Sequence, residues 1–252
     1  MILFRLIGWC AVFLGGGLLL LNASGWVLPL RNTAMYSDPA LEYKNDVSLS
    51  YQEFLEKEKA LPKSPRAPYV KALTQLVSQS MAHLWSDPER FKYRLHVPAY
   101  ENFILYVGGY LMPERYRMYE YVRWKKALER GAGACSQHAI IIKGILDERN
   151  IPASIIGLHG HVANLVQISE SPETWRVVDA DYGVVVEHSL EAIEKKTALI
   201  NPYYQAAGFG GEYLTKLNAA YAAEGNLVLG KLTDYTTYGQ VRSEISCYGA
   251  KW

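Results

Sequence analysis

The stretch GAGACSQHAIIIKGILDERNIPAS, residues 131–154, decides the fold. Its glycines make a flexible approach, and a stripe of residues at helical spacing follows: Cys135, His138, Ala139, Ile142, Ile145 and Leu146. This stripe predicts a core-facing helix with Cys135 in its first turn. Asn150 and Pro152 predict the end of the helix, because asparagine tolerates a left-handed exit and proline cannot continue a helix.

Two strands and a return are predicted after the helix. Residues 153–158 are typical of a short buried strand, and the alternation in GLHGHVANLVQI, residues 157–168, predicts a second strand that opens at His161. A polar turn over residues 169–174 then leads into WRVVDADYG, residues 175–183. The sequence therefore predicts a helix followed by antiparallel strands.

Three side chains in these motifs have the chemistry of thiol catalysis: Cys135, His161 and Asp179. The N–H groups and the positive dipole end of a first helical turn favour a thiolate, an imidazole can act as its base, and a carboxylate can orient the imidazole. His161 follows Cys135 by 26 residues and Asp179 follows His161 by 18. The spacing of 26 residues leaves room for a helix, a turn and a strand, and the spacing of 18 residues fits one hairpin of two strands. If His161 faces Asp179 directly, Trp175 lies across from Leu165.

The order of these motifs resembles the transglutaminase-like superfamily, as a membrane-anchored member of bacterial type. A cysteine flanked by small residues opens a helix, NIPA follows, GHV precedes a hydrophobic strand, and WRVVD holds the aspartate; the resemblance covers residues 119–186. It implies an α+β, papain-like core in which the nucleophile helix packs on a small antiparallel sheet. It also implies that Cys135 is the nucleophile, His161 the general base and acid, and Asp179 the residue that fixes the imidazole tautomer.

The resemblance implies one of two classes of function, because that superfamily includes amide cross-linkers, peptidases, amidases and members that have lost catalysis. The first is a cysteine peptidase, amidase or acyltransferase that acts on a peptide-like or glycan-associated amide through a thioester, with hydrolysis slightly favoured over amine transfer. The second is a non-catalytic binding or assembly module at the cell envelope, linked to polysaccharide production. Neither class requires a cofactor, and the sequence names no protein partner.

An oxyanion formed in such a reaction should be bound by the Cys135 backbone N–H and a second donor. The sequence offers Trp124, on the helix expected before the nucleophile, and Gln137. The alternative roles are core packing for the tryptophan and a solvated helix position for the glutamine.

Other polar residues near these three compete for the same roles. His159 could replace His161 as the base, although the GHV pattern favours His161, and Asp181 could replace Asp179. A zinc site is also chemically reasonable, because thiolate and imidazole suit zinc; its ligands would be Cys135, His138, His159 and His161. That site would leave Asp179 without a role, so the sequence favours no metal.

Composition and the N-terminus indicate the surroundings. The chain has 252 residues, of which 50% are hydrophobic and 20% charged, and a net charge of +1, so no basic surface for nucleic acid is indicated. Residues 6–30 carry no charge, and their length favours an uncleaved membrane anchor over a secretory signal. With Arg5 held inside, the rest of the chain would face the periplasm or the exterior. Cleavage near residues 22–25 would instead make the protein secreted.

The predicted organisation has three parts: an anchor or signal segment over residues 1–30, a linker with a short helix over 31–68, and a transglutaminase-like domain over 69–252. Scaffold helices are expected over residues 49–60, 69–85, 113–129, 189–199 and 211–223.

The chain has three cysteines, which are too few for a disulfide-built domain. Cys10 lies in the membrane segment, and Cys247 is expected to be a spectator. If Cys135 and Cys247 formed a disulfide, it would mask the nucleophile.

Overall fold

The structure, a computed structural model, describes residues 2–39, 49–83, 90–222 and 226–229. The chain forms two compact units. Of the described residues, 2–32 and 90–119 belong to unit 1, and 33–39, 49–83, 120–222 and 226–229 belong to unit 2.

The described residues contain ten helices and seven strands. The α-helices are α1 (Ile2–Ser24), α2 (Tyr51–Ala60), α3 (Arg66–Ser78), α4 (Ala99–Leu111), α5 (Pro113–Tyr116), α6 (Trp124–Arg130), α7 (Cys135–Glu148), α8 (Leu190–Lys195), α9 (Asn201–Ala206) and α10 (Glu212–Ala222). The strands are β1 (Ala82–His83), β2 (Ala132–Gly133), β3 (Ala153–Leu158), β4 (His161–Glu170), β5 (Glu173–Asp179), β6 (Val184–Val186) and β7 (Leu227–Leu229). Two short 3-10 helices cover Thr33–Ser37 and Thr197–Ile200.

The main sheet of unit 2 is antiparallel, with strand order β6-β5-β4-β3-β7. Helix α7 packs on β3 and β4, where Ala139 and Ile140 bury against Ile155. The buried Asn164 of β4 donates a hydrogen bond to the Ala139 carbonyl at 3.1 Å, which fastens the helix to the strand. The described chain is therefore a mixed α+β structure with a small antiparallel sheet, and this coarse prediction is confirmed.

A second hydrophobic cluster covers the sheet with the helices that follow it. Its buried members are Ile156, Leu158, Ala163, Val177, Val184, Val186, Ile193, Ile200, Tyr204, Leu217, Ala220 and Tyr221. Burial of this much apolar side-chain surface is the main favourable term in folding. The cluster also places two tyrosine hydroxyls, those of Tyr204 and Tyr221, deep in the interior.

The predicted start and end of the cysteine helix are confirmed. Helix α7 begins at Cys135, and Ala134 precedes it without a side-chain cap. Asn150 has a positive φ of 56°, which is the left-handed exit expected after a helix. Strand β3 and the start of β4 at His161 also lie where the pattern placed them.

The predicted pairing of β4 with β5 is wrong by two residues. Gln167, not Leu165, lies opposite Trp175, and Leu165 pairs with Val177. A shift of two residues keeps every side chain on its predicted face, because side chains alternate with a period of two. His161 and Asp179 are therefore diagonal neighbours on one face, a separation that long side chains can bridge.

Two scaffold helices differ from their predictions. The helix expected over residues 69–85 runs from Arg66 to Ser78, because Ala82 and His83 leave it to pair in parallel with β2. The single helix expected over 113–129 is split into α5 and α6 by residues 117–123. The three other predicted helices are present as α2, α8 and α10, and Ser189 caps α8 by accepting from the Ala192 N–H at 3.2 Å.

The stretch expected as a linker contains packed structure. Helix α2 lies on α3, and its Phe54 is completely buried. Ser50 and Glu53 form a reciprocal capping box at its start, a device that stabilises helix N-termini. Residues 49–60 are therefore part of the folded unit 2.

Helix α1 is an exposed, apolar helix in unit 1. It has no buried residue, and its 23 residues are long and apolar enough to cross a membrane, although a signal sequence would pass the same test of length and composition. A helix needs about 20 apolar residues to span the hydrocarbon core.

Candidate active site

The first turn of α7 presents Cys135 at the surface of unit 2. Its thiol is partly exposed and not in a disulfide. The first N–H groups of any helix have no intrahelical acceptor, and no side chain caps this one. The backbone of this turn can therefore donate hydrogen bonds to an anion beside the sulfur.

His161 links the thiol to a buried carboxylate. As the first residue of β4, it places its Nε2 2.7 Å from Oδ2 of Asp179, the last residue of β5. A nitrogen of the same ring lies within 4.8 Å of Sγ of Cys135. Because Nε2 is engaged by Asp179, the other ring nitrogen, Nδ1, is the one that can face the sulfur. The three residues predicted to form a triad are thus brought together.

Asp179 is fully buried and accepts three hydrogen bonds. Besides His161, the Tyr204 hydroxyl donates to Oδ2 at 2.6 Å and the Asp181 N–H donates to Oδ1 at 3.2 Å. The Tyr221 hydroxyl lies 3.1 Å from that of Tyr204 and extends the network. Saturating a buried carboxylate in this way fixes its orientation, and through it the plane of the imidazole.

The surroundings of His161 favour its charged form. Burial alone would lower the pKa of the ring, because it removes water from the imidazolium. The Asp179 carboxylate, the Cys135 side chain and the more distant Asp181 outweigh burial and raise the pKa of His161 well above its ordinary 6.5. An imidazolium next to the thiol is therefore favoured at neutral pH.

Asp181 is a second buried carboxylate near the thiol, and three histidines surround it. Its Oδ1 lies 3.0 Å from Nδ1 of His83 and 3.2 Å from Nδ1 of His138, and its Oδ2 lies 4.0 Å from Nδ1 of His161. Burial alone would raise the pKa of Asp181, but these imidazoles hold it below its ordinary range. Burial lowers the pKa of His138 despite the attraction of Asp181, so His138 favours its neutral form.

A metal ion could be held by three of these side chains. One ligand atom each from Cys135, His161 and Asp181 lie within 4.8 Å of one another, and thiolate, imidazole and carboxylate are all zinc ligands. This set differs from the one considered from the sequence, because His159 is exposed and outside the group.

Gln137 is a brace for the loop before α6. Its Oε1 accepts from the Tyr121 N–H at 2.9 Å and from Nη2 of Arg130 at 2.8 Å, and its Nε2 donates to the Tyr121 carbonyl at 2.8 Å. Gln137 is fully buried, which contradicts a solvated position. This brace also explains the split between α5 and α6, since it holds the Tyr121 backbone out of a helix.

Trp124 likewise has another partner. Its indole N–H donates to Glu148 at 3.0 Å. Its ring also packs on Gly144 so closely that a Cβ at that glycine would lie only 2.4 Å from Cδ1 of the indole. Both residues predicted as oxyanion donors thus have contacts typical of packing or bracing. The helix N-terminus at Cys135 is the better placed source of donors.

Replacing Gln137 by alanine should lower the free energy of unfolding by about 3 kcal/mol, because it removes the acceptor of Nη2 of the fully buried Arg130 and the side-chain partner of the Tyr121 N–H and carbonyl. Urea denaturation of the full chain in detergent micelles measures this. The matched control is Gln205→Ala on the exposed surface of α9, which should change stability by less than about 0.5 kcal/mol. Equal effects of the two substitutions would contradict the brace.

Sequence reasoning missed the second layer of this site. Tyr204, Tyr221 and His83 lie far along the chain from the three motifs, and no local pattern distinguishes them from packing residues. The sequence points to Asp181 only as a replacement for Asp179, and to His138 only as a zinc ligand. Cys247 and its proposed pairing with Cys135 lie outside the described residues.

No protein-family model, no curated protein and no solved structure matches this chain. The site therefore has to be interpreted from its own geometry.

Proposed function

We propose that the protein is a thiol-dependent acyl-transfer enzyme that cleaves an amide in a peptide-like substrate through a thioester on Cys135. A transglutaminase-like, papain-like core is part of this proposal. The observation that carries it is the position of His161, whose ring hydrogen-bonds the buried Asp179 and has a nitrogen within 4.8 Å of the Cys135 sulfur. This is the arrangement that nucleophilic catalysis by a thiol requires.

In the acylation step, Cys135 acts as the nucleophile and the His161 imidazolium acts as the acid. The Cys135 thiolate attacks the carbonyl carbon, and the electron pair of the C=O bond moves onto oxygen, where the first N–H groups of α7 can bind it. The oxyanion then collapses and the C–N bond breaks. The departing amine takes its proton from the His161 imidazolium, so that a thioester and a neutral imidazole remain.

The second step releases the acyl group. Neutral His161 removes a proton from water or from an amine as either one attacks the thioester, and the sulfur leaves as thiolate beside the restored imidazolium. The thiol is partly open to solvent, and none of the described residues marks a separate amine site. Hydrolysis is therefore slightly favoured over transfer.

Location is the third element of the proposal. Helix α1 would remain as an uncleaved anchor, and unit 2 would face the periplasm or the exterior. The length and apolar character of α1 support the anchor. Arg5 at its start supports the orientation, although Arg31 shortly after its end makes the charge bias small.

An activated acyl ester such as p-nitrophenyl acetate tests the chemistry without knowledge of the natural substrate. We expect a burst of p-nitrophenol and an acetyl group on Cys135 in the intact mass of the acid-quenched full chain. The adduct should be absent from Cys135→Ala and unchanged in Cys10→Ala, which removes the other free cysteine of the described residues. Adding a primary amine, and screening peptide and glycopeptide libraries, would then identify the acceptor and substrate. If Cys135→Ala behaves like the parent chain, a binding module is the better description.

A further inference from the structure

Unit 1 contains an apolar surface that its own residues leave uncovered. Helix α4 packs against α1. On α4, Tyr110 and Leu111 lie three and four residues after Val107, which places all three on one face of the helix. All three are exposed, Leu111 to 75%. Met112, the next residue, is exposed as well. No charged residue occurs from Asn102 to Pro113.

The chain just after α1 exposes a second set of apolar side chains: Trp26, Val27 and Leu28. This exit is held to the segment that leads into α4. The Tyr100 hydroxyl donates to the Pro29 carbonyl at 3.3 Å, and Nη1 of Arg94 donates to the Leu30 carbonyl at 3.0 Å. The end of α1 and the start of α4 therefore form one fixed corner.

We propose that this apolar surface, made of Trp26–Leu28 and the exposed face of α4, lies in the boundary between headgroups and acyl chains of the bilayer that α1 crosses. Asn102 interrupts α4 with a non-helical backbone (φ −162°, ψ 96°). The regular part of α4 therefore covers residues 103–111, about 14 Å at 1.5 Å per residue, which is too short to span a hydrocarbon core of about 30 Å. An amphipathic helix of this kind lies in the plane of the interface, with its apolar face immersed by about 5–10 Å.

Charge and aromatic content both fit a lipid partner. Residues 90–119 contain five basic side chains, Arg90, Lys92, Arg94, Arg115 and Arg117, against two acidic ones, Glu101 and Glu114. A segment with this excess of positive charge is attracted to anionic lipid headgroups. Tyr110 stacks near Phe91, with ring centroids 6.2 Å apart, and aromatic rings with a polar tip are enriched at the membrane interface.

Continuity with α1 distinguishes lipid from a protein partner. Any bilayer that surrounds α1 must end beside the corner at Pro29 and Leu30, next to the exposed Trp26–Leu28. Helix α4 leaves the same corner at Tyr100, and its exposed face begins at Val107, about 10 Å further along the helix at 1.5 Å per residue. The inference rests on the membrane anchor and not on the chemistry of Cys135.

Depth-dependent quenching tests the proposal on the full chain in vesicles of phosphatidylcholine and phosphatidylglycerol. The native cysteines are replaced (Cys10→Ser, Cys135→Ala, Cys247→Ser), and an environment-sensitive NBD label is placed on Leu111→Cys or, on the same face, Val107→Cys. We expect blue-shifted emission and stronger quenching by lipids spin-labelled near the headgroup than by lipids labelled deep in the acyl chain. Removing phosphatidylglycerol should weaken the quenching.

Two control positions make each outcome decisive. A label on Val12→Cys in α1 should be quenched by the deep spin label, and one on Lys216→Cys, exposed on α10, should emit as in water. Water-like emission at residues 107 and 111, with Val12 quenched, would overturn the proposal and leave the anchor intact. Blue-shifted emission without lipid quenching would also overturn it, since a second copy of the chain would then cover the surface. Resistance to trypsin equal to that of the unlabelled chain verifies the fold of each variant.

Discussion

Replacing His161 by alanine should lower the rate of iodoacetamide labelling of Cys135 at pH 7 by at least about tenfold. The thiolate is the form of a cysteine that reacts with iodoacetamide, and the His161 imidazole is the group placed to accept the proton of the thiol and hold it beside the sulfur. The loss of acyl transfer should be larger, about 1,000-fold, because the proton donor to the leaving group is removed as well. Labelling rates follow from peptide mass mapping of the full chain.

His159→Ala is the matched control for this prediction. His159 lies two residues from His161 but is exposed, so its removal should leave the labelling rate of Cys135 within about twofold of the parent. Cys10 provides an internal reference in both variants, since its labelling should not change. A slow His159→Ala variant beside a fast His161→Ala variant would show that the base had been assigned to the wrong histidine.

Replacing Asp179 by asparagine should lower the pKa of the His161 ring. The carboxylate is the largest favourable influence on the imidazolium, and without it the effect of burial dominates and favours the neutral ring. The native chain should therefore hold the His161 proton to higher pH than the variant. NMR titration of the imidazole in detergent micelles measures both values, and comparison with His161→Ala assigns the signal.

The same substitution changes how stability depends on pH. In the parent, the raised pKa of His161 contributes to folding fully below about pH 6.5, and this contribution is lost as the pH rises through the higher native value. Asp179→Asn should remove that dependence, whereas Asp147→Asn, which affects only a pair with Lys143 within α7, should keep it. If Asp181→Asn removed it and Asp179→Asn did not, Asp181 would be the residue that orients His161.

Local signals explain why much of the core was predictable. The start of α7 at Cys135 and its exit at Asn150 depend on neighbouring residues, glycines before the helix and Asn-Ile-Pro after it, which act within one turn. Strand β3 and the opening of β4 lie between equally local breaks. The alternation of β4 and β5 then places His161 and Asp179 on one face in every register that differs by an even number of residues.

The pairing of β4 with β5 was not predictable to the residue. An alternating pattern cannot distinguish two registers that differ by two residues, because both bury the same side chains. In addition, β4 has one more residue than β5 between Gln167 and Ser169, and nothing in the sequence signals this irregularity.

Long-range contacts account for what the sequence did not show. Tyr204 occurs 25 residues after Asp179, in a tail rich in aromatic residues, and only the packing of α9 on the sheet brings its hydroxyl to the carboxylate. The role of Gln137 likewise depends on Arg130 and the Tyr121 backbone. Each of these residues is indistinguishable from ordinary packing until its partner is known.

The hairpin end between β4 and β5 has a practical consequence for handling the protein. Residues 170–173 form an exposed hairpin end, about 30 Å along the strand from His161 at 3.3 Å per residue. The surface ion pair between Arg66 and Glu170 contributes little to stability. An epitope or affinity tag inserted between Ser171 and Pro172 would therefore give a purification handle distant from the reactive sulfur.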